Sequence, residues 1–223
     1  DGLDQATLLN VSTVPVRRAY QAGETVRFLA TSNYPAFIER AEIRIEALDG
    51  RPGAAPVAVV PVAVNGEAGW VMPQQGDGEF SYVLRVYDAR GRFDETAPLT
   101  IARTDRGFEP SAREEAVAPG MAEDRTAVRN IPVHGGAVTV FGRHVPPGFH
   151  IEAFGETIPV DNNRAFVAQR ILPAGDHSVD VAVRGTSKSG GLSFSRDIQI
   201  PRDDWFYVAL ADLTAGGGIL KPA

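Results

Sequence analysis

Four histidines, His134, His144, His150 and His177, are the first residues to test for chemistry. His144 and His150 flank the turn Val145-Pro146-Pro147-Gly148 and could meet across a hairpin. A metal would need three or four converging nitrogen and oxygen ligands, because there is no cysteine to supply thiolate. No His-Glu-x-x-His pattern occurs, so the expectation is exposed strand or loop histidines and no metal or other cofactor. Asp176-His177-Ser178 has the residue types of a hydrolytic triad, but strand neighbours point to opposite faces and cannot form the relay. Glu114/Glu115, Asp94/Glu95 and Asp203/Asp204 are the candidate carboxylate pairs for glycoside hydrolysis. The first lies in the expected linker and the others at strand ends, where acids serve turns. Gly76-Asp77-Gly78 and Gly216-Gly217-Gly218 lack the strand, helix and lysine of a phosphate loop. The expectation is a chain that is not an enzyme.

Binding residues are better placed than catalytic ones. Asp161-Asn162-Asn163 has donors for a loose calcium site but lacks the spaced acids and closing Glu of a calcium loop, and a hairpin tip explains it better. Asp161, Asn162, Asn163 and Arg164 at that tip, with Lys188 in the loop Gly185–Gly191, form the expected recognition surface. Tyr34, Phe37 and Trp70 lie near strand ends or loops. Core packing is their default; a shared exposed face for Tyr34 and Trp70 would instead make a sugar-stacking platform.

The elements that must carry these residues are strands. Ala41–Ala47 alternates, with Ile43 and Ile45 inward and Glu42, Arg44 and Glu46 outward. Phe80–Asp88 repeats the pattern with Tyr82, Leu84 and Val86 on one face. Such half-polar strands suit antiparallel sheets. Gly and Pro number 23 and 16, and they punctuate about seven short strands between residues 8 and 103. Residues 104–127 are polar and turn-rich and read as a linker, with Ser111 and Glu114 placed to cap a short helix. A second, smaller strand-rich unit spans 128–201. Residues 202–223 form a strand and tail that is apolar on both faces from Trp205 to Leu213. It reads as a buried last strand or as the first strand of a membrane β-barrel, with Trp205 and Tyr207 at the interface.

The expected fold class is therefore all-β: two tandem immunoglobulin-like β-sandwiches joined by a linker, 1–103 and 128–201. The 223 residues allow two small domains. A net charge of −6 argues against nucleic acid as a partner. No apolar run is long enough for a transmembrane helix.

One resemblance adds to this. Gly155-x-x-x-Pro159-Val160-Asp161-x-x-x-x-Phe166 followed by Leu172-Pro173-x-Gly175-x-His177-x-Val179-x-Val181 resembles bacterial immunoglobulin-like modules. The stretch from Ile131-Pro132-Val133 through Asp203-Asp204-Trp205-Phe206-Tyr207 to Leu213-Thr214 is similar to the periplasmic part of large Gram-negative outer-membrane proteins of the OmpA-like, β-barrel kind. The resemblance covers about 128–214. It implies a non-catalytic periplasmic spacer or protein-interaction module, with the sequence stopping where a barrel would begin. Its implied partners are other cell-envelope proteins or glycans. A secreted carbohydrate- or peptidoglycan-binding accessory module is the alternative.

Overall fold

The computed structural model describes residues 6–51, 53–76, 78–105, 123–185, 191–202 and 209–214. The first unit contains β1 (Leu9–Thr13), β2 (Ala19–Tyr20), β3 (Thr25–Ser32), β4 (Arg40–Ala47), β5 (Ala58–Val62), β6 (Glu67–Val71), β7 (Glu79–Tyr87), β8 (Phe93–Thr96), β9 (Leu99–Arg103) and β10 (Thr126–Val128), with a 3-10 turn at Pro35–Phe37. The second contains β11 (Gly135–Arg143), β12 (Phe149–Ala153), β13 (Glu156–Ile158), β14 (Phe166–Pro173), β15 (Gly175–Gly185), β16 (Leu192–Ile200) and β17 (Ala209–Thr214).

Two sheets face each other in each unit. In the first, β1-β3-β6 packs on β10-β8-β7-β4-β5, with β9 joining β7 to β2. Alternation decides which side chains meet between the sheets. Val26, Phe28 and Ala30 descend from β3, while Ile43 and Ile45 of β4 and Phe80, Tyr82, Leu84 and Val86 of β7 come from the other side. In the second unit, β14-β11-β17 faces β13-β12-β15-β16. Val138, Val140, Ile151, Ala153, Ile158, Val179 and Val181 form that core. The protein is a tandem of β-sandwiches. No helix among the described residues is long and apolar enough to cross a membrane.

Two segments fall differently from the sequence reading. The end of the expected linker belongs to the first sandwich: the Arg125 amide donates to the Leu9 carbonyl and β10 pairs with β8, so this strand crosses the expected boundary at 127/128. The proposed helix cap at Ser111 and Glu114 lies outside the described residues. At the other end, β17 runs parallel to β11 from Val138↔Ala209 to Arg143↔Thr214. Its backbone completes the second sandwich, which therefore reaches past 201 to at least Thr214.

The two sandwiches also share a joint. The Ile171 amide of β14 donates to the Asn33 carbonyl at 2.6 Å. Ile171 and Ile131 are buried in the first unit's core, at 2% and 8% exposure. Asn65, in the β5–β6 turn with φ of 59°, holds the Ser32 backbone through both amide atoms and donates to the Glu156 carboxylate at 3.0 and 3.2 Å. Arg170 closes the cluster on Glu156 at 2.5 Å. Asparagine suits this position because it tolerates the left-handed conformation.

Candidate functional site

The expected hairpin tip is instead a turn that carries the chain from β13 in one sheet to β14 in the other, and it is built mainly to hold its own shape. The Asp161 amide donates to the Ala165 carbonyl, its carbonyl accepts the Arg164 amide, and its Oδ1 accepts the Ala165 amide at 2.8 Å. Arg164 sits at φ 59° and turns its guanidinium inward: Nε donates to the Val145 carbonyl at 2.8 Å, and Nη2 donates to the Pro146 carbonyl. Arg164 thus clamps the 145–149 turn, which corrects its expected place on a recognition surface. Asn162 and Asn163 are exposed and remain available for contact. Lys188 lies outside the described residues.

The aromatic platform does not form. Tyr34 has no exposure, and its hydroxyl donates to Asp94 Oδ2 at 2.8 Å. Burial, then the Asp94 hydrogen bond, pushes the phenol far above its ordinary pKa. Trp70 is half-buried edge-on against Phe80, 5.2 Å between ring centroids, and Phe37 packs against the same core. Trp70 faces inward from β6 and Tyr34 is buried where the chain leaves β3 for the 3-10 turn, so the two pack on the core and share no exposed face for a sugar.

The candidate catalytic groups are likewise separated. Asp94 points into the protein at 2% exposure and accepts the Asn130 and Ile131 amides at 2.6 and 2.8 Å. Its neighbour Glu95 points out and pairs with Arg85 at 2.5 Å. These two carboxylates lie on opposite faces of β8 and cannot share a substrate. Glu114/Glu115 and Asp203/Asp204 lie outside the described residues. His177 Nε2 lies 2.6 Å from the Pro173 carbonyl, while Ser178 Oγ lies 3.0 Å from Ser195 Oγ. The triad types therefore make no relay. His150 lies 3.4 Å from Glu152, which also binds Arg184 at 2.5 Å. Among the described residues no group of three or more His, Asp or Glu is placed to hold a metal.

A concavity that sequence patterning did not single out lies on the first sandwich. A cleft of about 550 Å³ opens between β1, β3 and β9, beside the 14–18 loop and the approach to β10. Its lining includes Arg17, Arg18 and Arg125 against a single acid, Glu123. Arg17 is committed to Glu24, a 2.5 Å ion pair. The hydrogen bond from Arg17, which outweighs burial, holds the Glu24 carboxyl below its ordinary pKa. Sequence reasoning missed this cleft because it brings Arg17 and Arg18 together with Arg125, far away along the chain.

No protein-family model matches the chain, and neither does any curated protein. Among solved structures, it is similar to fibronectin(III)-like modules of CbhA from Clostridium thermocellum, with a TM-score of 0.31 and 12% identity over 90% of this chain and 95% of that one. It is also similar to a candidate cell adhesion protein from Bacteroides fragilis, with a TM-score of 0.26 and 9% identity over 82% and 83%. Latent PorU from Porphyromonas gingivalis is a third, with a TM-score of 0.26 and 11% identity over 91% of this chain and 24% of that one.

Proposed function

We propose that the chain is a non-catalytic spacer and protein-interaction module of a Gram-negative cell-envelope protein, acting in the periplasm next to an outer-membrane barrel. The observation that carries the reading is the joint. Two sandwiches tethered only by a linker would reorient freely. Here Ile171 and Ile131 enter the first unit's core, and Asn65 bonds across to Glu156, which Arg170 holds in place within the second unit. Such a joint fixes the distance between whatever the two ends attach to. Partner contact then falls to exposed loops, with Asn162 and Asn163 the best placed among the described residues.

Small-angle X-ray scattering tests the mechanical part. The expected curve fits one rigid two-domain particle. Asn65→Ala combined with Glu156→Ala should broaden the distance distribution without lowering the folded fraction. A wild-type curve that demands many domain orientations would sink the spacer. The membrane part is tested by the reading frame beyond residue 223: alternating segments of about ten residues support a barrel, and an immediate stop removes it.

A further inference from the structure

The cleft between β1, β3 and β9 has a chemical character that the spacer role does not use. The protein carries a net charge of −6, yet the charged lining of this cleft is three arginines to one glutamate. The guanidinium groups of Arg18 and Arg125 make no ion pair or side-chain hydrogen bond among the described residues, while Arg17 is taken by Glu24. At the cleft wall stands Tyr82, whose ring packs on Phe28 at 4.9 Å between centroids. Tyr82 is 4% exposed, and its hydroxyl makes no hydrogen bond among the described residues. That hydroxyl is not sealed in the core: it opens into the cleft, where a ligand can accept its proton. The charges of Arg18 and Arg125 both bear on that phenol, which burial and the neighbouring Tyr20 push up to about 12. At neutral pH it is therefore a proton donor facing two cations, the arrangement that favours an anion.

The rest of the lining narrows the anion. Ser12, Thr31 and Thr100 present hydroxyls with no side-chain partner among the described residues. Leu29 and Leu99 supply an apolar wall between them. A bare inorganic anion would use neither. A hydroxylated ring bearing a carboxylate uses both: the carboxylate takes the arginines and Tyr82, the ring hydroxyls take Ser12, Thr31 and Thr100, and the C–H face lies on the leucines. The volume of about 550 Å³ falls in the range of small-molecule sites and admits one or two such rings.

We infer that this cleft is a binding site for an acidic sugar, a uronic acid or a short oligomer containing one. The site is independent of the spacer role, since the joint lies elsewhere and fails on scattering, whereas the cleft fails on titration.

The test is an NMR titration of the whole chain with glucuronate, run beside glucose and acetate. Saturable shifts should appear at the amides of Ser12, Thr31 and Arg125 with glucuronate, with much weaker ones from either control. Arg18→Ala and Arg125→Ala should each weaken binding about tenfold, as loss of a charge-assisted hydrogen bond does. Tyr82→Phe keeps the ring against Phe28 and should weaken it severalfold with an unchanged melting temperature. Added salt should weaken it further. Equal binding of glucose overturns the role of the arginines, and equal binding of acetate overturns the sugar. Variants that bind like the wild type, or no saturable shift at all, overturn the site.

Discussion

Glu42 shows how a single residue on the outer face of a sheet can carry stability. Its place in β4 is outward, between the inward Ala41 and Ile43, yet it is only 9% exposed. Its carboxylate is covered by what holds it: Arg40 at 2.8 Å, Arg44 at 3.0 Å and the Tyr87 hydroxyl at 2.9 Å. Arg40 in turn stacks 3.5 Å over the Tyr87 ring. Burial pushes the Glu42 carboxyl up, but the hydrogen bonds from Arg44 and Tyr87 and the two nearby cations outweigh it and leave the pKa lowered. A carboxyl lowered in the folded state contributes stability above its unfolded value near 4.5, and that stability is lost as pH falls through the folded value. Glu42→Gln should therefore cost about 1–2 kcal/mol at pH 7. The gap between variant and wild type in urea melts should narrow as pH falls below 4.5. A gap that persists undiminished at pH 3 would show that packing, not charge, is what Glu42 supplies.

Among elements, β11 and its neighbours are the most tightly fitted. At Gly135 an added Cβ would stand 1.9 Å from the Leu172 carbonyl oxygen of β14, a backbone atom that cannot step aside. Gly135→Ala should destabilise the second sandwich by about 1–3 kcal/mol or more. Val167→Ala, on the same β14 but half exposed, should cost far less in the same denaturant titration. Similar losses from both would deny the close approach its importance. The strands were legible because alternation is local: the inward faces of β4 and β7 follow from Ile43, Ile45, Tyr82, Leu84 and Val86 alone. Partners were not legible, because pairing is a long-range choice. Nothing near Thr126–Val128 announces a bond to β8, and nothing near Ala209–Thr214 announces a parallel partner in β11. The partner of Tyr34 was hidden for the same reason. Tyr34 lies in a turn-like stretch, and its burial depends on Asp94, 60 residues further on.

At the scale of the whole molecule, that buried pair decides whether two sandwiches behave as one. Asp94 receives three donors: the Tyr34 hydroxyl from the first unit and the Asn130 and Ile131 amides from the segment that enters the second. The residue before Tyr34 offers its carbonyl to Ile171 of β14, and Ile131 sits in the first unit's core beside it. The first sandwich thus anchors the second through one buried carboxylate and the backbone around it. With the joint intact, the two units should unfold together, giving one calorimetric transition for the described fold. Asp94→Ala leaves the Tyr34 hydroxyl and two amides without their acceptor, at a cost of about 3–5 kcal/mol. It should also split the transition in two, the second unit melting near its wild-type temperature and the first well below. Tyr34→Phe removes one donor and keeps both amides bound, so it should lower the transition by a smaller amount, about 1–2 kcal/mol, without splitting it. If Asp94→Ala still melts in a single shifted step, the coupling resides in Asn65, Glu156 and Arg170 instead. If the wild type already melts in two, the units are independent and the joint does not transmit stability.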